Sequence, residues 1–298
     1  MNNFVLGIDI GGTNLRLALT DRKFNIYNPV IRSLADIKTK DITDYILKTV
    51  YSYLQSVEQD ILAIGIGVPG IVEQGKKIIS CPNLPGLKGE SLAREFKKKY
   101  KVPVFIEKDV NLLMMAEINN ISSSYQNVVG VYIGTGVGCS IVINGKLYKG
   151  TRGFAGELGH IPFQKSKDSC NCGSNGCLEL YTGGKKLQSI AENNDTDLEN
   201  IFIASGLVKE EVEIYIENIS RGVASVVNII DPGLVILGGG VIENRYFPFQ
   251  KLKKLIKKYS RVENSGFNLP IKKSSLEKFS GCKGASIYYH NFYQQKNS

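Results

Sequence analysis

Two short strings in this chain are built alike. Gly7-Ile8-Asp9-Ile10-Gly11-Gly12-Thr13 lines up with Gly130-Val131-Tyr132-Ile133-Gly134-Thr135-Gly136, and each is followed by a second apolar stretch. In both, an apolar strand enters a turn of glycine and threonine and returns as another strand. Halves that open alike imply a duplicated unit and hence two related domains. The length of 298 residues agrees, since single cores stop growing at about 250–300 residues. Small residues in the turns let backbone N–H groups approach an anion with no Cβ in the way. One such turn is no more than a hairpin, whereas a pair can grip a polyphosphate. A third small-residue loop, Gly238-Gly239-Gly240, follows an apolar run and offers a seat for a flat adenine or a ribose.

Between these landmarks apolar strands alternate with amphipathic helices, and no Pro/Ser/Gly-rich linker interrupts them. That is the pattern of an α/β protein. Strands are expected at Val5–Ile10, Leu15–Thr20, Leu62–Val68, Val104–Ile106, Val128–Ile133, Cys139–Ile143 and Leu234–Leu237. Helices are expected at Asp41–Glu58, Ser91–Tyr100, Asp109–Ile118 and Leu207–Ile230. In the last, Ile219, Val223, Val226, Val227 and Ile230 fall on one face, a stripe suited to packing on a sheet, and Asp231-Pro232 ends it.

Two familiar nucleotide motifs fail. A Walker loop is absent. Gly65-Ile66-Gly67-Val68-Pro69-Gly70 satisfies GxGxxG, but Pro69-Gly70 leads into a hairpin-like stretch, and a dinucleotide fingerprint needs a helix there.

The stretch from Glu157 to Glu179 holds one of the chain's two histidines and three of its six cysteines. His160, Cys170, Cys172 and Cys177 supply one imidazole and three thiolates, and Gly173 and Gly176 let the loop turn tightly. Zinc takes about four such ligands near 2.0–2.3 Å, so the spacing describes a closed structural site in preference to buried thiols or a disulfide. A closed site leaves no position for a reacting water, so its use is to hold Glu157 and Glu179 in place. Cys81, Cys139 and Cys282 lack paired spacing and read as small core residues or exposed thiols. The chain enters a strand with no signal-like leader, and no apolar run approaches the ~18 residues of a membrane span. Together with metal-binding thiols, this gives the expectation of a soluble protein in a reducing cytoplasm.

The net charge of +9 concentrates in Lys97-Lys98-Lys99-Tyr100-Lys101 and in Lys251 to Lys258, where Leu252, Leu255, Ile256 and Tyr259 recur at helical spacing. Both runs read as solvated helix faces. Interleaved aromatics and a recognisable nucleic-acid module are missing, so no nucleic-acid partner is expected.

Ile106-Glu107-Lys108-Asp109-Val110-Asn111 ends a strand and opens a helix, where α/β proteins place functional side chains. Asp109 is either a helix cap or a carboxylate base aimed at a hydroxyl.

Taken in order, these strings resemble the ROK family of bacterial sugar kinases and repressors, within the actin-like ATPases. The resemblance runs through Asp9-Ile10-Gly11-Gly12-Thr13-Asn14-Leu15-Arg16, Gly67-Val68-Pro69-Gly70, Pro82-Asn83-Leu84, Lys108-Asp109-Val110-Asn111, Gly134 to Gly138, Gly156-Glu157-Leu158-Gly159-His160, Cys170 to Glu179, and Gly238-Gly239-Gly240. It implies two actin-like (ribonuclease H-like) domains around an ATP/sugar cleft, with a structural zinc loop. The first would span 1–108 plus about 284–298 and the second 109–283, the closing helix from Gly284 to about Phe292 crossing back to the first. The implied activity is transfer of the ATP γ-phosphate to a hexose hydroxyl, usually O6. Asp109 matches the catalytic base, and Asp9 the carboxylate that helps hold Mg²⁺. Gly11, Gly12, Thr13, Asn14, Gly134, Thr135 and Gly136 match the phosphate loops, with Gly238, Gly239 and Gly240 at the nucleoside. Asn83, Glu157, His160 and Glu179 match the sugar-contacting group, with His160 serving zinc and sugar through its two ring nitrogens. A homodimer is implied as well.

One position departs from the family pattern. Most family kinases carry Asn immediately before the catalytic Asp, and this chain carries Lys108. A cation lacks an amide's acceptor, so a different sugar epimer should be tolerated. A basic residue there, with Pro82-Asn83-Leu84-Pro85, is most similar to the branch acting on D-allose, ahead of glucose, N-acetylmannosamine or fructose. Of the rival readings, a ROK repressor needs a DNA-binding segment ahead of the kinase-like part, and Asp9 stands close to Met1. A binding module without catalysis would be expected to lack Asp9 or Asp109. The expectation is therefore a kinase using ATP, Mg²⁺ and Zn²⁺.

Overall fold

Seven consecutive buried residues make β1 (Phe4–Ile10), and that run, apolar but for Asp9 near its end, places it inside a sheet covered on both faces. The structure is a computed structural model and describes residues 4–38, 41–73, 77–87 and 92–293, without the side chains of 263 and 264. Two compact units are present, one of residues 1–121, 150–154 and 276–298, the other of 122–149 and 155–275.

In the first unit β1 is followed by β2 (Asn14–Thr20), β3 (Ile26–Ser33), α1 (Ile42–Val57), β4 (Ile61–Val68), the small hairpin β5 (Ile71–Glu73) and β6 (Lys77–Ser80), α2 (Leu92–Tyr100), β7 (Val104–Lys108) and α3 (Asp109–Ile118). The main sheet has the order β3-β2-β1-β4-β7, with β1 antiparallel to β2 and parallel to β4. Ile42, Ile46, Val50, Tyr53 and Val57 of α1 recur at helical spacing and are buried in the apolar core of this unit. The GxGxxG string ends in the β5–β6 hairpin, with no helix after Gly70. β3 was not expected. Its strand reads IYNPVIRS and is largely exposed, and a proline in an exposed edge strand masks the period-two signal.

The second unit holds β8 (Val128–Ile133), β9 (Val137–Ile143), β10 (Lys146–Leu147), α4 (Glu179–Thr182), α5 (Gly184–Asn193), α6 (Leu207–Ile230), β11 (Leu234–Gly238), α7 (Gly240–Glu243), α8 (Phe249–Tyr259) and β12 (Ile271–Lys273). Its sheet order is β10-β9-β8-β11-β12, with β8 antiparallel to β9 and parallel to β11. Strand for strand this repeats the first sheet, as the paired strings predict. Ile219, Val223, Val226 and Val227 of α6 are buried in this core, and the helix stops at Asp231, whose φ of 49° is left-handed.

The chain then returns to the first unit as α9 (Ser280–Tyr288) and a π-type turn, Tyr289–Tyr293. Glycines permit the fit. A Cβ on Gly7 of β1 would stand 2.5 Å from the Cα of Cys282, and one on Gly284 would strike the Leu112 carbonyl of α3. This close packing of α3 against α9 keeps residues 109–121 with the first unit, so the expected boundary at 108/109 moves to 121/122. The returning helix begins at Ser280, ahead of the expected Gly284, and residues 294–298 and Ser91 lie outside the described residues. Among the described residues no helix is long and apolar enough to cross a membrane.

Candidate functional site

The ends of three parallel strands gather the candidate residues of the first unit. Their register sets Asp9 of β1 opposite Gly67 of β4, and Gly67 opposite Glu107 of β7. Residues in one row of a parallel sheet share a face, so two carboxylates flank a position with no side chain, about 9–10 Å apart by two strand spacings. The start of α3 uses that gap: a Cβ on Gly67 would stand 3.1 Å from Leu112 Cδ1 and 3.5 Å from Asp109 Cα. Asp109 is the first residue of α3, and its Oδ1 accepts the Val110 N–H at 2.8 Å. Glu107 Oε1 accepts the Lys108 N–H at 3.0 Å and the Asn111 Nδ2–H at 2.8 Å, tying the strand end to the first helical turn. Lys108 ends β7 and is only 6% exposed, a burial that lysine rarely reaches unpaired.

Asp9 is buried at the end of β1, and its Oδ2 accepts a hydrogen bond from Arg16 across the β1–β2 pair at 3.2 Å. Burial pushes the Asp9 carboxyl above the usual carboxylate range, and Arg16 pulls it partly back. A Cβ on Gly12, in the turn that follows, would stand 3.9 Å from Asn83 Cβ, so Asn83 lies beside that turn. In the turn itself Gly11 N donates to Asn14 O at 2.8 Å, and Asn14 Nδ2 to Thr13 Oγ1 at 3.0 Å.

In the second unit the turn Gly134-Thr135-Gly136 is held by the carboxylate of Glu179. Its Oε2 accepts the Val137 N–H at 2.8 Å, and a Cβ on Gly136 would run into it. The family resemblance makes Glu179 a sugar contact, and here one of its two oxygens is engaged by the backbone beside the 134–136 turn. Gly134 and Thr135 of the turn, with Gly240, also line a cavity of about 600 Å³. Lys185 and Gln188 of α5, Phe202 and Asn244 complete much of its wall, and none of these was singled out in the sequence. Only folding brings α5 beside the turn, through the Gly184 N–H to Gly134 O hydrogen bond of 2.8 Å. Gly238 and Gly239 end and follow β11, Gly239 at a φ of 89° against the backbone of Ile133.

The four expected zinc ligands do converge. One ligand atom from each of His160, Cys170, Cys172 and Cys177 lies within 4.8 Å of the others. His160 Nδ1 stands 3.5 Å from Cys170 Sγ, while its Nε2 faces Glu157 Oε2 at 3.8 Å. One ring nitrogen thus meets the thiols and the other a carboxylate. Burial pushes the Cys170 and Cys177 thiols up, Cys177 to about 12. Three sulfurs so close resist ionising together unless a cation joins them, and one nitrogen and three sulfurs are a donor set that suits zinc. Cys81, Cys139 and Cys282 are buried free thiols.

A comparison with known proteins places this geometry. The ROK family profile matches residues 5–291. The chain belongs to the ROK family. Among its ROK relatives, the xylose repressor of Bacillus subtilis (strain 168) is 28% identical over 279 residues, covering 90% of this chain and 72% of the repressor. The Thermotoga maritima glucokinase is 27% identical over 282 residues, covering 86% of this chain and 87% of the enzyme. Among solved structures, a ROK glucokinase from Streptomyces griseus in complex with glucose and AMPPNP superposes with a TM-score of 0.81 at 23% identity, covering 95% of this chain and 98% of that one. The ROK fold, with its paired mixed sheets, is therefore the fold of this chain.

Proposed function

We propose that this chain is an ATP-dependent hexose kinase, most specifically one that converts D-allose to D-allose 6-phosphate. The observation that carries the reading is Asp109 at the head of α3, set over the gap between Asp9 and Glu107. Phosphoryl transfer asks for little covalent chemistry, so positioning and a base that takes the hydroxyl proton suffice. The sugar O6–H gives its proton to an Asp109 oxygen as O6 bonds to the γ-phosphorus, and the bond from that phosphorus to the β–γ bridging oxygen breaks, releasing ADP. The glycine turns at 11–13 and 134–136 supply backbone N–H groups to the phosphates, and the cavity beside Gly134 and Gly240 takes the nucleoside. Mg²⁺ arriving with ATP would spread the phosphate charge, and Asp9 is the carboxylate suited to hold it.

Zinc at His160, Cys170, Cys172 and Cys177 would fix the loop carrying Glu157 and Glu179. Asn83, Glu157 and His160 are the proposed sugar contacts. D-Allose rests on Lys108, the buried basic residue that stands immediately before Asp109 where most family kinases carry Asn. Glucose, N-acetylmannosamine and fructose are the next candidates. A regulatory role is the second reading, favoured by repressors among the relatives. A coupled assay with ATP and a panel of hexoses separates them: turnover with a hexose supports the kinase, and sugar binding without ADP release supports the regulator.

A further inference from the structure

Two lysine-rich helices stand in this chain, and two cations of one are answered by neighbours. On α8, Lys251 Nζ pairs with Glu213 at 3.0 Å and Lys257 Nζ donates to Asn268 at 2.9 Å. On α2 the buried residues are Leu92, Ala93 and Phe96, while Arg94, Lys97 and Lys98 follow at i, i+3 and i+4 on another face and Lys101 comes just past the helix. Like charges at these spacings weaken a helix. Arg94 meets Glu95 at 3.2 Å, but among the described residues no ion pair is recorded for Lys97, Lys98 or Lys101. Their place near the helix C-terminus offsets part of the repulsion.

Two further observations point to a ligand. The same four cations line a cavity of about 640 Å³, completed by Val102, Pro103 and Tyr293, with no carboxylate in the lining. Lys101 also sits just past the helix at a φ of 58°, its N–H capping Lys97 O at 3.1 Å. That left-handed position is where glycine or asparagine costs least, and the chain carries a lysine there.

We propose that this cavity binds a small polyanion bearing phosphoryl groups, at a site separate from the phosphate turns. The proposal does not depend on the kinase reading. Four cations lining one cavity suit a chain of phosphates better than a single carboxylate, and the apolar lining can cover the rest of the ligand. A free polyphosphate, a sugar phosphate and the tail of a nucleotide share that chemistry.

The test is lysine acetylation of the intact protein, read residue by residue by mass spectrometry, with inorganic tripolyphosphate, glucose 6-phosphate or ATP as the probe. A probe at ten times its Kd should slow acetylation of Lys97, Lys98 and Lys101 about elevenfold, leaving Lys253 and Lys254 of α8 unchanged. The most protective probe identifies the source. Titration calorimetry of a Lys97→Glu/Lys101→Glu variant with unchanged circular dichroism should show at least about tenfold weaker binding at this site, while Lys97→Arg/Lys101→Arg should retain it. Equal reactivity of the α2 and α8 lysines with and without every probe would overturn the proposal. So would protection given by duplex DNA or phosphatidylserine vesicles and by none of the small anions.

Discussion

The carboxylate of Glu107 and the amide of Asn111 are joined at 2.8 Å, and the residue midway between them is Asp109. The same Glu107 oxygen holds the Lys108 N–H, so the backbone into Asp109 and the side chain one half-turn beyond it share one buried acceptor. Glu107→Ala should lower kcat at least about tenfold with little change in the KM for ATP. It should also cost about 1–3 kcal/mol of stability, since two buried donors lose their partner. Glu107→Gln keeps an amide oxygen there and should recover most of both. A stable, fully active Glu107→Ala enzyme would remove the clamp from the account.

Asp109→Asn offers a clean probe of the base. Its amide oxygen can still accept the Val110 N–H, so the start of α3 should survive. Turnover should fall about 10²–10⁴-fold, in kcat and not in KM. A near-normal kcat would reduce Asp109 to a helix cap.

Metal analysis of protein purified without added zinc should find about one zinc per chain. Cys172→Ser should lose the metal and, through the loop that leads to Glu179, weaken sugar binding about 10–100-fold together with a drop in Tm. A fully active preparation free of zinc would refute the structural role.

The Asp9 carboxyl is raised by burial and lowered by Arg16, which fixes the sign of a pH effect. Only the ionised form can help hold a Mg²⁺–nucleotide, so nucleotide affinity should decline on acidification at a higher pH than an ordinary aspartate near ~3.9 would give. Arg16→Gln removes the lowering influence, raises the pKa further and should move the decline to higher pH. Midpoints that coincide in the two proteins would argue against control by Asp9.

Lys108→Asn should shift the ratio of kcat/KM for allose over glucose toward glucose. A site that pairs with one hydroxyl rejects the other epimer by leaving a buried polar group unpaired, at about 1–3 kcal/mol, or roughly ten- to a hundredfold. An unchanged ratio would show that Lys108 serves the fold and not the sugar.

Much of this was legible in the chain, and the exceptions share a cause. The duplicated turns, the α6 stripe and the His/Cys cluster are local patterns, each carried by residues within one or two elements. Glu179 shows the limit: its partner Val137 lies 42 positions away, and no periodicity reports that hydrogen bond. Lys185, Gln188, Phe202 and Asn244 were invisible for the same reason, since their common cavity exists only once α5 docks against Gly134. β3 hid behind its exposure and Pro29. Glu107 stood in plain sight beside Asp109, but its value depends on a register with Gly67 and Asp9 that only the folded sheet sets.

Because α9 closes against Gly7 of β1 from residues 280–288, the first unit to be synthesised is the last that can be finished. On the ribosome, residues 122–149 and 155–275 can complete their own unit while β1 and β4 still wait for their covering helix. Until residues 280–288 emerge, the nascent chain therefore exposes an apolar sheet face of the kind that attracts chaperones. Chains cut short before Ser280 should leave the second unit protease-resistant and the first unit degraded.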